Sequence, residues 1–139
     1  MQVSIEQFFE LKAAAFSKGR MVDLAAMFVT PTTLHFGTKL IELPTAQDVA
    51  QVMTVYRQNL LIEGYSKTEA SILHIEEQPD GGKQVFARWR NINGQGMQLD
   101  QQDSVYFCVP DAESQSWKIT RFEYLEDPPP RFSQELPLK

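Results

Sequence analysis

Apolar side chains recur every three or four residues at the start of the chain. This stripe runs from Ser4 to Phe16, and Gly19 stands where the resulting helix would end. Ser4 and Gln7 have the spacing of a capping box, in which each side chain satisfies a free backbone N–H of the first turn. The pattern therefore predicts an N-terminal helix with one apolar face.

Two more helices are predicted before residue 65. A short one covers about Met21 to Met27 and ends at Thr30-Pro31, because proline cannot continue a helix. A longer one follows Thr45, which forms an approximate capping box with Asp48. Its apolar stripe continues until Gly64.

The period-two alternation of β-strands begins with a hairpin around Gly37-Thr38, whose strands cover residues 32–36 and 39–43. It resumes after the third helix, where turn signals at residues 79–82 and 93–96 separate longer runs. The long strands are predicted over Lys67 to Glu76, Gln84 to Ile92, Met97 to Val109 and Trp117 to Leu125.

Helices first and strands afterwards predict an α+β fold rather than alternating α/β units. We expect one domain over residues 1–125, in which three N-terminal helices cover one face of a curved antiparallel sheet and enclose a pocket. Residues 126–139 contain Pro128-Pro129-Pro130 and are expected to form an extended tail.

Composition removes several classes of function. The formal net charge is −5 and no Lys/Arg cluster occurs, which excludes a nucleic-acid footprint. The single cysteine, Cys108, lies in an apolar run and is expected to be a buried thiol. No metal-ligand spacing is present, so neither a metal nor a cofactor is expected. With no signal peptide pattern and no apolar run of about 20 residues, we expect no membrane contact and a cytoplasmic location.

Strand parity indicates where the charged side chains lie. Counting across the predicted turns places Asp103 and Arg88 on one face, which we predict to line the pocket. In a functional interpretation Arg88 holds an anionic or carbonyl group and Asp103 transfers a proton. In a structural interpretation the two charges neutralise each other. If the parity is reversed, Arg88 is solvated and Trp89 faces the pocket.

Further candidates for the pocket come from the first strand and from aromatic positions. Histidine is the side chain most often used for acid/base chemistry near neutral pH, so His35 is a second candidate catalytic residue. Packing as an ordinary half-buried histidine is the alternative. The aromatic residues that could bind a ligand, or simply fill the core, are Tyr56, Phe36, Phe122 and Tyr124.

The other face of the sheet is predicted to be apolar as well. A one-sided antiparallel sheet in a monomer normally shows polar residues to solvent. We therefore expect a homodimer through the back of the sheet, with coverage by the tail and loops as the alternative. The expected interface residues are His74, Trp89, Tyr106, Trp117 and Ile119.

The segments Phe16 to Arg20, Leu24 to Pro31 and Asp103 to Phe107, followed by Trp117-Lys118-Ile119, together resemble the nuclear-transport-factor-2-like (NTF2-like) superfamily. Within it they resemble the SnoaL-like, or polyketide cyclase-like, branch. The resemblance spans Ser4 to about Leu125 and implies a cone-shaped half-barrel. Proteins of this fold include isomerases, dehydratases, cyclases and non-catalytic domains, so the fold does not choose a function.

Ketosteroid isomerases are the sharpest comparison within that superfamily. The resemblance places Asp103 where they carry an oxyanion-hole aspartate, but their general-base carboxylate would fall near His35 or Phe36, and neither is acidic. No tyrosine precedes Tyr56, so their oxyanion tyrosine has no counterpart. Ketosteroid isomerase activity is therefore not expected.

Three functions stay open at this point. The first is binding of a small apolar or aromatic molecule in the cone without turnover. The second is a cofactor-independent isomerase, dehydratase or cyclase that uses Asp103 with Arg88 or His35. The third is a non-catalytic, dimeric structural domain.

Overall fold

The structure is a computed structural model that describes residues 2–36 and 39–125, with only the backbone of Phe36 and Lys39. The predicted tail, residues 126–139, and the predicted turn at Gly37-Thr38 lie outside the described residues. The helices are α1 (Ile5–Ser17), α2 (Met21–Ala25) and α3 (Ala46–Ile62). The strands are β1 (Phe28–Phe36), β2 (Lys39–Leu43), β3 (Tyr65–Glu77), β4 (Lys83–Asn93), β5 (Gln98–Asp111) and β6 (Ser116–Tyr124).

Both predicted capping boxes are confirmed. At the start of α1, the Gln7 backbone N–H donates to Ser4 Oγ and the Ser4 N–H donates to the Gln7 side chain, both at 3.1 Å. At the start of α3, Thr45 and Asp48 exchange the same two bonds at 3.1 and 3.2 Å. These bonds satisfy N–H groups that have no partner within the helix.

The described strands form one six-stranded sheet in the order β2-β1-β6-β5-β4-β3. β1 and β6 run parallel, and every other neighbouring pair is antiparallel. Helices and a curved, mostly antiparallel sheet confirm the predicted α+β class. The domain limits at residues 1–125 stay a prediction.

The prediction that Thr30-Pro31 separates the second helix from the first strand is wrong. β1 begins at Phe28 and contains both residues, joined by a cis peptide bond. The pairing of β1 with β6 shifts register between Phe28 and Thr33, and this irregularity is where a strand can tolerate proline, which has no N–H to donate.

One face of the sheet, here the inner face, packs against the helices. The Phe9 ring of α1 lies 6.0 Å from the Trp89 ring and 5.2 Å from the Tyr106 ring. Burial alternates along β4, so that Trp89 is buried while its neighbours Arg88 and Arg90 are half-buried. Trp89 and Tyr106 therefore point inward, and Arg88 points to the opposite, outer face.

Val3, which precedes α1, is hydrogen-bonded to the first residues of β6 and to the turn before that strand. The Val3 N–H donates to the Gln115 carbonyl at 2.8 Å, and the Trp117 indole N–H donates to the Val3 carbonyl at 2.9 Å. Trp117 and Ile119 of β6 are buried, at 8% and 0% exposure. These contacts fix where α1 begins above the sheet.

Candidate functional site

A narrow hollow lies between the helices and the inner face. The empty space between atoms, counted through the hollow and out to its open mouth, is about 390 Å³. The part of that space that the centre of a water molecule can reach is only about 30 Å³. That space holds about two waters. The residues lining the hollow are Lys12, Phe16, Met53, Tyr56, Thr68, Trp89, Asn91, Gln102, Tyr106 and Tyr124.

Lys12 stands in the middle of the apolar face of α1. Its side chain is 6% exposed, and its Nζ lies 4.3 Å from the centre of the Trp89 ring and 5.0 Å from that of Tyr106. A third ring, Phe28, is 5.9 Å away. In the described part of the chain, no carboxylate lies within salt-bridge distance of this amine.

Burial changes the acid–base behaviour of this amine. Loss of hydration lowers the pKa of Lys12 to about 7, against a smaller effect of the nearby Cys108 that raises it. Burial also raises the pKa of Cys108 to about 12 and that of Tyr106 well above its usual value, so both stay protonated at neutral pH. Lys12 is thus the group of this cluster that titrates near neutrality. The buried Cys108 thiol agrees with the sequence prediction.

Three buried polar atoms on the inner face, here called unpartnered, make no hydrogen bond of normal geometry: Trp89 Nε1, Gln102 Oε1 and Ser104 Oγ. Hydrogen bonding from Trp89 and Ser104 toward the Tyr106 hydroxyl lowers the pKa of Tyr106, against the larger effect of burial that raises it. Buried polar groups in folded proteins normally find a partner in protein or water. These atoms therefore mark the inner face as a place where a polar group from outside the chain could bind.

One wall of the hollow is a satisfied hydrogen-bond network. Asn91, which is 2% exposed, donates Nδ2 to the Tyr56 hydroxyl at 3.1 Å and to Asp100 at 2.7 Å. Its Oδ1 accepts a 2.7 Å bond from Thr68, whose hydroxyl lies 2.6 Å from that of Tyr65. The network makes this wall rigid, in contrast to the unpartnered atoms around Lys12.

The prediction that Asp103 and Arg88 face the hollow is wrong, although they do share one face of the sheet as predicted. The two residues are direct cross-strand partners, and Arg88 donates Nε and Nη2 to the carboxylate at 2.9 and 3.0 Å. They lie on the outer face, where the Arg88 side chain is 38% exposed. A charged pair keeps its hydration there, whereas the large rings of Trp89 and Tyr106 are buried beneath the helices.

His35 also lies on the outer face. Its neighbour Leu34 is fully buried, and its Nε2 is 3.3 Å from the Thr33 hydroxyl. Of the predicted aromatic residues, Tyr56 and Tyr124 line the hollow. Phe122 is buried and stacks on Tyr106 with ring centres 5.8 Å apart. The side chain of Phe36 lies outside the described residues.

Four of the five predicted interface residues cannot lie at the back of the sheet. Trp89, Tyr106, Trp117 and Ile119 are buried inside the single chain, with exposures from 0% to 8%. Of the five, His74 is the one on the outer face, where its ring lies 5.7 Å from that of Phe86. The error has the same origin as that for Asp103, because the two faces of the sheet were exchanged.

Sequence reasoning missed Lys12, although a signal for it exists. The buried positions of α1 include Phe8, Phe9, Lys12 and Phe16, so a lysine interrupts an otherwise apolar stripe. A charged residue at such a position either is paired or shifts its pKa.

Over residues 2–36 and 39–125, no group of three or more His, Cys, Asp or Glu side chains is placed to hold a metal ion. Within the same residues, no helix has the length and hydropathy needed to cross a membrane.

A curved, mostly antiparallel sheet with helices over one face defines the class as an NTF2-like, or cystatin-like, α+β domain. Residues 2–126 match the family described as "NTF2-like protein (DUF6841)", and the chain belongs to this family. The predicted superfamily is thereby confirmed, and the SnoaL-like branch stays a prediction. No curated protein matches the chain in sequence.

Solved structures with similar folds share little sequence with this chain. A cystatin-like domain of unknown function from Nostoc punctiforme has 14% identity and a TM-score of 0.66, with 91% of this chain and 76% of that one covered. ActVI-ORFA from Streptomyces coelicolor has 9% identity and a TM-score of 0.67, with 88% and 92% covered. A ketosteroid isomerase-like protein from Erwinia carotovora atroseptica has 14% identity and a TM-score of 0.58, with 88% and 94% covered. At these identities the similarity concerns the fold alone.

Proposed function

We propose that this protein binds a small, flat, largely apolar molecule in the hollow, without turning it over. One observation carries the proposal: a buried lysine and three unpartnered polar atoms lie on the inner face beside aromatic rings. Ligand sites typically combine such an apolar wall with a few convergent polar groups. A chain that folded only for stability would gain by replacing those polar groups with apolar ones.

The size of the hollow limits the ligand. About 30 Å³ for water centres admits only a narrow group unless a wall moves. Met53 is the adaptable part of that wall, since its side chain is flexible and is held by packing alone. We therefore expect a ligand of about one ring, with Met53 changing rotamer as it enters.

The alternative of an isomerase, dehydratase or cyclase has less support. Its proposed groups, Asp103, Arg88 and His35, lie on the outer face and not in the hollow. The carboxylate beside the hollow, Asp100, accepts a hydrogen bond from Asn91. Binding without turnover is therefore the simpler proposal.

The proposal is tested with the methyl groups of the five methionines, labelled with carbon-13 and followed by NMR. Single-ring fragments should shift the Met53 methyl signal in a saturable way and leave that of Met97 in place. Met97 is the internal control because it is 66% exposed and does not line the hollow. If a broad set of charged and neutral one-ring fragments leaves Met53 unmoved at millimolar concentration, the hollow is not a binding site.

We also propose that the protein forms a homodimer through the outer face. Phe86 and Phe107 lie half-buried there on β4 and β5, with the buried Val105 (1% exposed) opposite Phe86, and Arg121 covers the Phe107 ring at 4.0 Å. The same face carries acids and bases, including the Arg88–Asp103 and Arg90–Glu69 pairs. Such a mixed surface can complement a second copy of itself.

The cytoplasmic location expected from the sequence stays a prediction.

A further inference from the structure

We infer that the ligand of the hollow is an acid, whose carboxylate binds against the Lys12 amine while its ring packs among the aromatic side chains. This inference rests on the proposed function and adds the chemical class of the ligand. It depends on the kind of polar groups that the hollow presents and on how their charges balance.

The unsatisfied groups around Lys12 are mainly donors. The Lys12 amine carries up to three N–H groups, and no described carboxylate pairs with it. The Trp89 indole N–H, which can only donate, and the Ser104 hydroxyl make no hydrogen bond of normal geometry, although both act on the Tyr106 hydroxyl. Gln102 Oε1 is the one acceptor among the unpartnered atoms of the described inner face. Two carboxylate oxygens, with room for several hydrogen bonds, match this donor set better than an alcohol or an amine does.

The charge balance leads to the same class of ligand. The titratable groups that face Lys12 from the sheet are Cys108 and Tyr106, and burial keeps both uncharged. Asp100 acts electrostatically on Tyr65 and Tyr124 but does not contribute to the pKa shift of Lys12. An ammonium at this position is therefore compensated only by the faces of aromatic rings, and a bound anion would supply the missing charge.

The walls determine what the rest of the ligand looks like. Trp89 and Tyr106 meet at 78° with ring centres 5.9 Å apart, and Phe16 and Tyr56 lie 5.6 Å apart on the opposite side. A flat ring fits against such edge-on and tilted neighbours. The hollow is too narrow for a fused polycyclic body without larger movements. Small aromatic acids are the class that satisfies both the walls and the amine.

Benzoate and benzamide make a matched pair for the test, because they share a flat ring and differ in charge. Binding is measured from the Met53 methyl shift near pH 6.5. We expect benzoate to bind at least about tenfold more tightly than benzamide, the difference that one charge-assisted contact supplies. The Lys12→Met variant should lose that difference, and the Lys18→Met variant should keep it, since Lys18 is exposed just after the end of α1.

The outcomes separate the two proposals. If benzamide or other neutral fragments bind as tightly as benzoate, or if Lys12→Met leaves the preference for benzoate intact, the acid assignment is overturned and the binding site stands. If no fragment of either charge moves the Met53 signal, the site itself is absent. The Met53 and Met97 methyl positions of each ligand-free variant report whether it has kept the fold, so a misfolded variant is recognised before it is titrated.

A change of pH gives an independent readout. Benzoate stays ionised between about pH 6 and pH 9, while Lys12 loses its proton over that range, so benzoate affinity should fall roughly tenfold or more and benzamide affinity should not. A flat pH profile for benzoate would contradict the role given to the amine.

Discussion

At the residue scale, the most consequential position is Lys12. A lysine on the buried face of a helix is among the rarest placements in soluble proteins unless the charge is paired. Here three aromatic rings surround the amine instead of a carboxylate. The residue therefore reduces the stability of the fold at neutral pH, as groups at functional sites often do.

This arrangement predicts how stability depends on pH. The pKa of Lys12 is about 7 in the folded chain, against 10.5 for an ordinary lysine side chain, so the unfolded chain binds more protons between those values and stability rises with pH. From pH 7 to pH 9 the free energy of unfolding should gain about 2 kcal/mol from this group. Cys108 acts in the opposite direction only above its unfolded pKa of about 9.

Urea unfolding at pH 7, 8 and 9 measures this effect. Lys12→Met should be more stable than the natural chain at pH 7 and should lack the rise, because methionine fills similar volume without a charge. Lys18→Met is the matched control and should follow the natural pH profile. A natural chain whose stability is constant over this range would mean that Lys12 keeps its proton through contacts other than those described.

The sequence predicted residues best where the chemistry is local. Both capping boxes follow from four residues that contact only their own helix turn, and both are present. That Arg88 and Asp103 share a face also followed from counting, since side chains alternate along each strand, and the structure adds that they are direct cross-strand partners. The unusual burial of Lys12 was visible in the stripe of α1 but depends on what packs against that stripe.

At the scale of elements, the alternation of side chains along β4 and β5 was predicted correctly, but the face that packs against the helices was not. Counting tells which side chains share a face, but only the packing of helices tells which face is inside. A register shift between Ile72 and His74 adds to the difficulty, because one extra residue in β3 places Leu73 out of step and pairs Ile75 with Val85. The helices cover the face with the larger apolar volume, which is the face of Trp89 and Tyr106.

The Arg88–Asp103 pair is expected to support the sheet and not the hollow. Asp103→Asn should lower the free energy of unfolding by about 1 kcal/mol or less, because the Arg88 side chain is 38% exposed and water screens the pair. The loss should shrink at high salt. Urea unfolding at two salt concentrations measures it, with the exposed Glu113→Gln as a control that should change nothing.

The same Asp103→Asn variant also tests the earlier assignment of this residue to a site. Its Met53 response to benzoate should match that of the natural chain, since the carboxylate lies on the outer face. A variant that keeps its stability but loses ligand binding would restore Asp103 as a functional residue and contradict the separation of the two faces.

At the scale of the whole molecule, the face of the sheet that could hold a second copy is the face of Phe86 and Arg88, and not the predicted face of Trp89 and Tyr106. Phe86→Glu should shift the protein from dimer to monomer in solution, because it places a charge at the centre of the outer apolar patch of Phe86, Val105 and Phe107. Light scattering during size-exclusion chromatography gives the mass. Ile62→Glu is the control, since Ile62 is 83% exposed at the end of α3. A natural chain that is monomeric at tens of micromolar would remove the dimer proposal.

The fold as a whole was predictable from the order of helices and strands, and the site was not. The α+β class needs only the periodicities along the chain, each of which is a local signal. The hollow is the space left between α1, α3 and four strands, so its lining depends on contacts between residues far apart in sequence, such as Lys12 with Trp89. No sequence pattern within a single helix or strand specifies a contact of this kind.

The attachment of Val3 to β6 gives the N-terminal segment a part in shaping the cavity. The helix that carries Lys12 begins one residue after Ser4, so the two bonds at Val3 act as an anchor that sets how deeply the amine reaches into the interior. Loosening this anchor would let the helix slide or tilt, and the cleft would widen without any change in the residues that line it. The breadth of ligands admitted is thus governed from the start of the helix, about two turns before the amine that meets them.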